Sequence, residues 1–225
     1  MMFPEGSSIL VGIPTRGLVP MQWALALRAL KLPPRSLVLP VAGLPIDHAR
    51  NYLVQKMLDL KFDTLFFLDD DVLPPSDAAE KLFSHNQPVV SGLYYRRAEP
   101  FNPVALYDTK PYPSPLGNYE PGALIEIDLV GAGCLLIQRK IFEFVPKPWF
   151  EWRRDREDLP ENERVSEDFA FCRKLRTSGI KTILDTSVQC AHLGYGQSLV
   201  GDGFTPLGGM SPYGNQTLDF GPSSL

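Results

Sequence analysis

Apolar runs bounded by Pro, Gly or Asp recur along the chain: SILVGIP at 8–14, SLVLPVAG at 36–43, DTLFFLD at 63–69, QPVVSGLYY at 87–95 and KTILDTS at 181–187. Their length and their turn-forming borders predict strands. Between the early ones lie MQWALALRAL at 21–30 and DHARNYLVQKMLDL at 47–60, long enough for helices, with Asp47 as the expected N-cap of the second. Strand alternating with helix predicts a parallel sheet with helical crossovers. Leu65, Phe66, Phe67 and Leu68 are apolar at successive positions rather than alternate ones, the pattern of a central strand covered on both faces. That strand runs straight into Asp69, Asp70 and Asp71, and the carboxyl end of a strand is where open α/β sheets bind ligands. Pro74 and Pro75 then predict a turn, and Ser76 the N-cap of a short helix.

The second half is less regular. ALIEIDLVGAGCLLIQRK at 123–140 reads as strand, glycine-marked bend and strand, with Gly131 and Gly133 permitting a bulge or a close approach of backbone to ligand. IFEFV predicts a short helix. Residues 146–166, which mix aromatics, alternating charges and prolines, predict a mobile surface loop. Ser166 is the expected N-cap of a helix closed by Gly179, with Arg173, Lys174 and Arg176 toward its negative end. The tail after Gly194 is rich in Gly, Pro, Ser and Asn and is expected to be irregular, partly disordered or packed between chains.

The 225 residues suffice for one large α/β domain. A net charge of −4 and a pI near 5.4 argue against a nucleic-acid backbone or an anionic membrane as the main partner. Cys134, Cys172 and Cys190 form no C-x-x-C pair, so neither a disulfide framework nor a zinc site is suggested. No signal-like N-terminus and no bilayer-length apolar run is present, and the expectation is a cytoplasmic protein without a transmembrane segment.

Three adjacent carboxylates repel and raise one another's pKa, a cost that a bound cation offsets. Alternate residues of an extended backbone project the same way, so Asp69 and Asp71 are expected to face one ligand and Asp70 another direction. Oxygen ligands of this kind suit Mg²⁺ or Mn²⁺; the plainer alternative is an acidic turn capping the next helix. An EF-hand is excluded by Pro74 where the loop needs Gly, and a Walker B strand by the lack of any Gly-Lys pair. Glu167 and Asp168 open a helix, where free N–H groups keep a carboxylate ionised and able to act as a general base, or where they simply cap it. His192 is a candidate ligand for the same metal or a hydrogen-bonded structural residue. Trp149, Phe150 and Trp152 form either a platform for a sugar or base, or loop anchors.

Taken in order over residues 8–194, VGIPTRG, IDHARNYLV, LFFLDDDVLPP, DLVGAGCLLIQR, PWFEW, SEDFAFCRKLRTSGIKTILD and CAHLG resemble the D-x-D and E-D motif set of GT-A glycosyltransferases, especially family-2-like members. The resemblance implies a Rossmann-like α/β domain over 1–195 with a mostly parallel central sheet flanked by helices. Its nucleotide-sugar half would span about 8–95, its acceptor and catalytic half about 96–195, with an irregular tail at 196–225. It implies a UDP- or GDP-sugar donor with Mn²⁺ or Mg²⁺, transferred to an acceptor hydroxyl with inversion. On it, Asp69 and Asp71 match the D-x-D carboxylates and His192 a third metal ligand, with Asp71 the direct metal contact. Asp168 matches the general base, and Glu167 a group that orients the acceptor or supports the base. Pro14, Thr15 and Arg16 match the base and ribose site, Arg50 a cation near the diphosphate, Asp70 a further donor contact, and Gly131, Ala132 and Gly133 the border of the donor sugar. Trp149, Phe150 and Trp152 would meet the acceptor: a small molecule, a glycan, a protein or, given Arg153, Arg154 and Arg156, a nucleic acid. A homo-oligomer is also possible. Two alternatives stand: a sugar-nucleotide nucleotidyltransferase, whose phosphate loop TRGLVP resembles without the paired glycines, and an inactive nucleotide- or carbohydrate-binding domain of this fold.

Overall fold

In the computed structural model, residues 3–153 and 165–194 are described throughout, and 197–200 and 203–206 by their backbone. The early apolar runs form β1 (Ser8–Thr15), β2 (Arg35–Ala42) and β3 (Thr64–Leu68), separated by α1 (Met21–Ala29) and α2 (Ile46–Asp59). After the aspartates come β4 (Val72–Leu73), α3 (Ala78–Ser84) and β5 (Val89–Leu93). The second half supplies β6 (Ala105–Tyr107), β7 (Ser114–Pro115), β8 (Leu124–Ile127), β9 (Leu129–Val130), β10 (Cys134–Gln138), α4 (Ile141–Phe144) and α5 (Glu167–Thr177). Last are β11 (Thr182–Gln189), β12 (Ala191–Gly194), β13 (Gln197–Val200) and β14 (Gly203–Pro206).

Seven strands form the central sheet in the order β2-β1-β3-β10-β5-β11-β8. β2, β1, β3, β5 and β11 run one way, and β10 and β8 oppose them. The expected mostly parallel α/β sheet is therefore the architecture the chain adopts. Successive residues of β3 feed two cores. Leu65 and Phe67 pack with Leu53 and Met57 of α2 on one face, while Phe66 and Leu68 pack with Trp23 of α1 and Leu82 of α3 on the other. This two-sided burial is the physical reason the run is apolar throughout. Two smaller sheets have the orders β7-β6-β9 and β14-β13-β12-β4.

Several boundaries differ from the sequence reading. α2 starts at Ile46 behind Pro45, so Asp47 lies inside the first turn, where its charge complements the helix dipole, instead of capping it. Asp77, not Ser76, precedes α3, and the Ser76 carbonyl accepts the N–H of Lys31. α5 does begin directly after Ser166, and Gly179 beyond its end takes φ +72°, which a glycine adopts without strain. The tail is not wholly irregular, because β13 and β14 pair antiparallel. The remainder of the expected irregular tail, 207–225, lies outside the described residues. No described helix is long and apolar enough to cross a membrane.

The stretch 146–153 is not a mobile loop. Trp149 and Phe150 are buried to 3% and 1% exposure, because their rings complete the core between α2, α4 and α5. Phe150 stacks on Phe171 at 4.5 Å between ring centres and meets Phe67 edge-on at 5.3 Å. Asn51 of α2 fastens the segment: its side-chain amide donates to the Phe150 carbonyl at 2.6 Å and its Oδ1 accepts the N–H groups of Trp149 and Phe150 at 3.0 and 3.2 Å. Arg153 and Val165 pair through their backbones. The intervening 154–164, with Arg154 and Arg156, lies outside the described residues. Phe150→Ala is expected to cost about 3–5 kcal/mol of stability. Trp152→Ala, at a side chain 47% exposed, should stay within about 0.5 kcal/mol. Urea denaturation of the two variants tests both, and equal losses would contradict this division.

Candidate active site

A cleft of about 590 Å³ opens at the carboxyl ends of β1 and β3, lined by Pro14, Thr15, Arg16, Asp69, Asp70, Asp71 and Arg97. The three aspartates do not alternate along an extended backbone. They form a turn closed by the Val72 N–H bonding the Asp69 carbonyl at 3.1 Å, so each carboxylate takes its own direction.

Asp70 braces the loop after β1. Its Oδ2 accepts the Thr15 hydroxyl at 2.7 Å and the Arg16 N–H at 3.2 Å, and Thr15 Oγ1 in turn accepts the N–H of Gly17 at 2.9 Å. Gly17 takes φ +99°, a conformation that costs a residue with a Cβ. Asp69 looks inward: its N–H bonds the Gly133 carbonyl at 3.0 Å, its carbonyl accepts the Trp23 indole N–H at 2.8 Å, and its carboxylate meets Arg50.

Arg50 is sealed in the interior at 2% exposure. Its Nε donates to Glu167 at 3.0 Å, its Nη2 lies 3.1 and 3.2 Å from the two Asp69 oxygens, and its Nη1 is 3.4 Å from the Ala132 carbonyl. The guanidinium also lies over the Phe67 ring, 5.3 Å from its centre. Burial alone would lower the Arg50 pKa, but the charges of Asp69 and Glu167 outweigh it and hold the group cationic. Burial raises Asp69, with Arg50 opposing and the charges of Asp71 and Asp168 adding to the rise. Burial and the adjacent Asp168 likewise raise Glu167. Glu167, at 4% exposure, is thus a partner of Arg50 in the interior.

Asp168 is half-buried beside this cluster; burial, then the charges of Asp69 and Asp168, push the Tyr94 hydroxyl well up. Its Oδ1 accepts the Phe169 N–H at 2.8 Å and the Ser166 hydroxyl. Gly131 lets Tyr94 approach, because a Cβ there would sit 1.9 Å from the Tyr94 hydroxyl. The Gly133 N–H donates to that hydroxyl at 3.1 Å, and Ala132 is fully buried.

His192 reaches the site through strand pairing. β12 lies antiparallel to β4, with His192 opposite Val72, and the Leu193 N–H bonds the Asp71 carbonyl at 2.7 Å. The imidazole Nδ1 is 2.7 Å from the Tyr95 carbonyl, an acceptor only, so Nδ1 donates there, and Nε2 faces Asp71 Oδ1, 3.5 Å away. A proton on Nε2 makes the two an ion pair, and a metal ion taking that proton's place would be shared by Nε2 and the carboxylate. Adjacent ligands of a small divalent ion stand about 3 Å apart, close to the observed separation. The hydrogen bond behind Nδ1 is the kind that orients metal-binding histidines. Among the described residues no group of three or more His, Cys, Asp or Glu is gathered for a metal. Asp71 and His192 are therefore the pair that could hold one, with Asp69 committed to Arg50. Burial would raise Asp71, but His192 and Arg97 outweigh it and hold its carboxyl below the usual range.

Tyr94, Tyr95, Trp23 and Arg97 were not singled out by sequence reasoning. Arg97 carried a usable signal, since it follows β5, a strand parallel to β3, and so reaches the same edge of the sheet.

Neither a protein-family model nor a curated protein sequence matches this chain. Among solved structures, A197 from STIV superposes with a TM-score of 0.62 at 22% identity, covering 88% of this chain and 93% of that one. GalNAc-T7, solved with UDP, GalNAc and Mn²⁺, superposes with a TM-score of 0.59 at 12% identity, covering 92% of this chain. The chain has a GT-A fold. At these identities the likeness is one of fold, and the match spans 46% of GalNAc-T7.

Arg50→Met would leave Asp69 and Glu167 buried without their cation, at an expected cost of about 3–5 kcal/mol at pH 7. Loss of the cation raises both carboxyl pKa values further above those of the unfolded chain, so the native state binds the extra protons and stability recovers as pH falls from 7 toward 5. Denaturation midpoints at the two pH values test this; a deficit independent of pH would count against it.

Proposed function

We propose that this protein is a glycosyltransferase that moves a sugar from a nucleoside-diphosphate sugar, UDP- or GDP-linked, to an acceptor hydroxyl. The observation that carries the reading is the Nε2 of His192, locked by the Tyr95 carbonyl, facing Asp71 Oδ1 at 3.5 Å on the wall of the cleft. A donor of this class presents a diphosphate, and Asp71 with His192 would hold the Mn²⁺ or Mg²⁺ that accompanies it. When bound, such an ion supplies neutralising charge to the leaving diphosphate. The 590 Å³ cleft lies within the range of pockets that enclose small ligands.

The other residues take roles consistent with their positions. The loop Pro14–Arg16, stiffened by Asp70, borders the nucleotide. Asp168 takes the acceptor proton, its carboxylate held by Ser166 and the Phe169 N–H so that Oδ2 is the oxygen left to accept it. Glu167 acts indirectly, through Arg50, by fixing the start of α5 against Asp69. A single displacement assisted by Asp168 inverts the anomeric centre. Trp152, the exposed member of the aromatic set, remains the candidate acceptor contact.

Calorimetry with UDP, GDP and their sugar conjugates, each with and without Mn²⁺, tests the reading. One nucleotide is expected to bind only with the metal, and Asp71→Ala should abolish that binding. Asp168→Asn should leave binding intact and lower transfer by about 10²- to 10⁴-fold. Absence of any nucleotide binding under all conditions would overturn the reading.

A further inference from the structure

We propose that Arg97 is an exchangeable counter-ion: it neutralises Asp71 while the cleft holds no metal, and transfers to the donor's diphosphate once a divalent ion takes Asp71. The inference rests on the glycosyltransferase reading above and deepens it.

Asp71 is held from two sides. Its Oδ1 faces His192 and its Oδ2 lies 2.8 Å from Arg97 Nη1. The Arg97 side chain is 52% exposed, in contrast with Arg50, which Asp69 and Glu167 enclose. Its backbone follows a fixed point, since the Arg96 N–H bonds the Asn102 carbonyl at 3.0 Å and Tyr95 bridges to Pro103, so the side chain can swing without the strand moving. A divalent ion between Asp71 and His192 would bring a double positive charge within a few ångströms of the guanidinium, and like charges so close repel. Arg97 then needs another anion. A diphosphate bound to the same ion brings one to its side of the cleft, and the planar guanidinium fork matches phosphate oxygens. Of the cleft-lining arginines, Arg16 and Arg97, the latter is the one already resting on the metal-side carboxylate.

The exchange predicts effects of opposite sign from one substitution. In Arg97→Gln, Mn²⁺ alone, followed by the electron paramagnetic resonance signal of the free ion, should bind about two- to fivefold more tightly, because an exposed ion pair no longer competes. Inorganic pyrophosphate, titrated calorimetrically at saturating Mn²⁺, should bind about tenfold or more weakly, the loss expected for a hydrogen bond between charged groups. Arg96→Gln, which changes net charge equally one residue away, should move neither constant appreciably. Mn²⁺ affinity that is unchanged or lowered in Arg97→Gln overturns the exchange while leaving the donor reading intact. Failure of the unsubstituted protein to bind Mn²⁺ at all removes the metal site itself, and both readings fall together.

Discussion

One buried guanidinium holds the candidate site together. Arg50 projects from α2 and bonds, at once, the end of β3 through Asp69, the start of α5 through Glu167 and the β9–β10 connection through the Ala132 carbonyl. β3 and β10 are already paired, but no strand pairing sets the distance of the start of α5 from them. An ion so enclosed stabilises little on its own account, because desolvation offsets much of the attraction. Its effect is geometric. With two anions and a carbonyl arranged around one planar cation, Asp168 is kept beside the cleft that Asp71 borders.

The three aspartates that end β3 divide the work. Asp70 ties the loop after β1, Asp69 pairs with Arg50, and Asp71 has His192 and Arg97 on either side. Repulsion among the three is relieved by giving each a separate partner, and the opposite pKa directions of Asp69 and Asp71 express that difference in surroundings.

Much of the scaffold was legible because it depends on local pattern. The unbroken apolar run 65–68 announced a central strand, and the glycine after α5 announced its end. The location of the acidic turn, at the carboxyl edge of the sheet, followed from direction alone. What the pattern could not convey was partnership over long sequence distance. Nothing local marks Glu167, 117 positions away, as the partner of Arg50. Prolines and charges around Trp149 and Phe150 left a platform and loop anchors equally open, and Phe171 and Asn51 draw both side chains inside. At glycines 131 and 133, which permit a bulge or a close approach of backbone to ligand, the ring of Tyr94 is what comes close.

The short ladder between β4 and β12 has a consequence for how such a chain can vary. Only Ala191–Leu73 and His192–Val72 pair there, just after the register of β11 against β5 shifts between Asp185 and Gln189. Side chains alternate faces along a strand, so adding or deleting one residue in that crossing would exchange His192 for Ala191 or Leu193 opposite Asp71. Substitutions along 186–190 are free to drift so long as packing is kept. The length of that passage is not, and parity, more than composition, is the quantity under constraint.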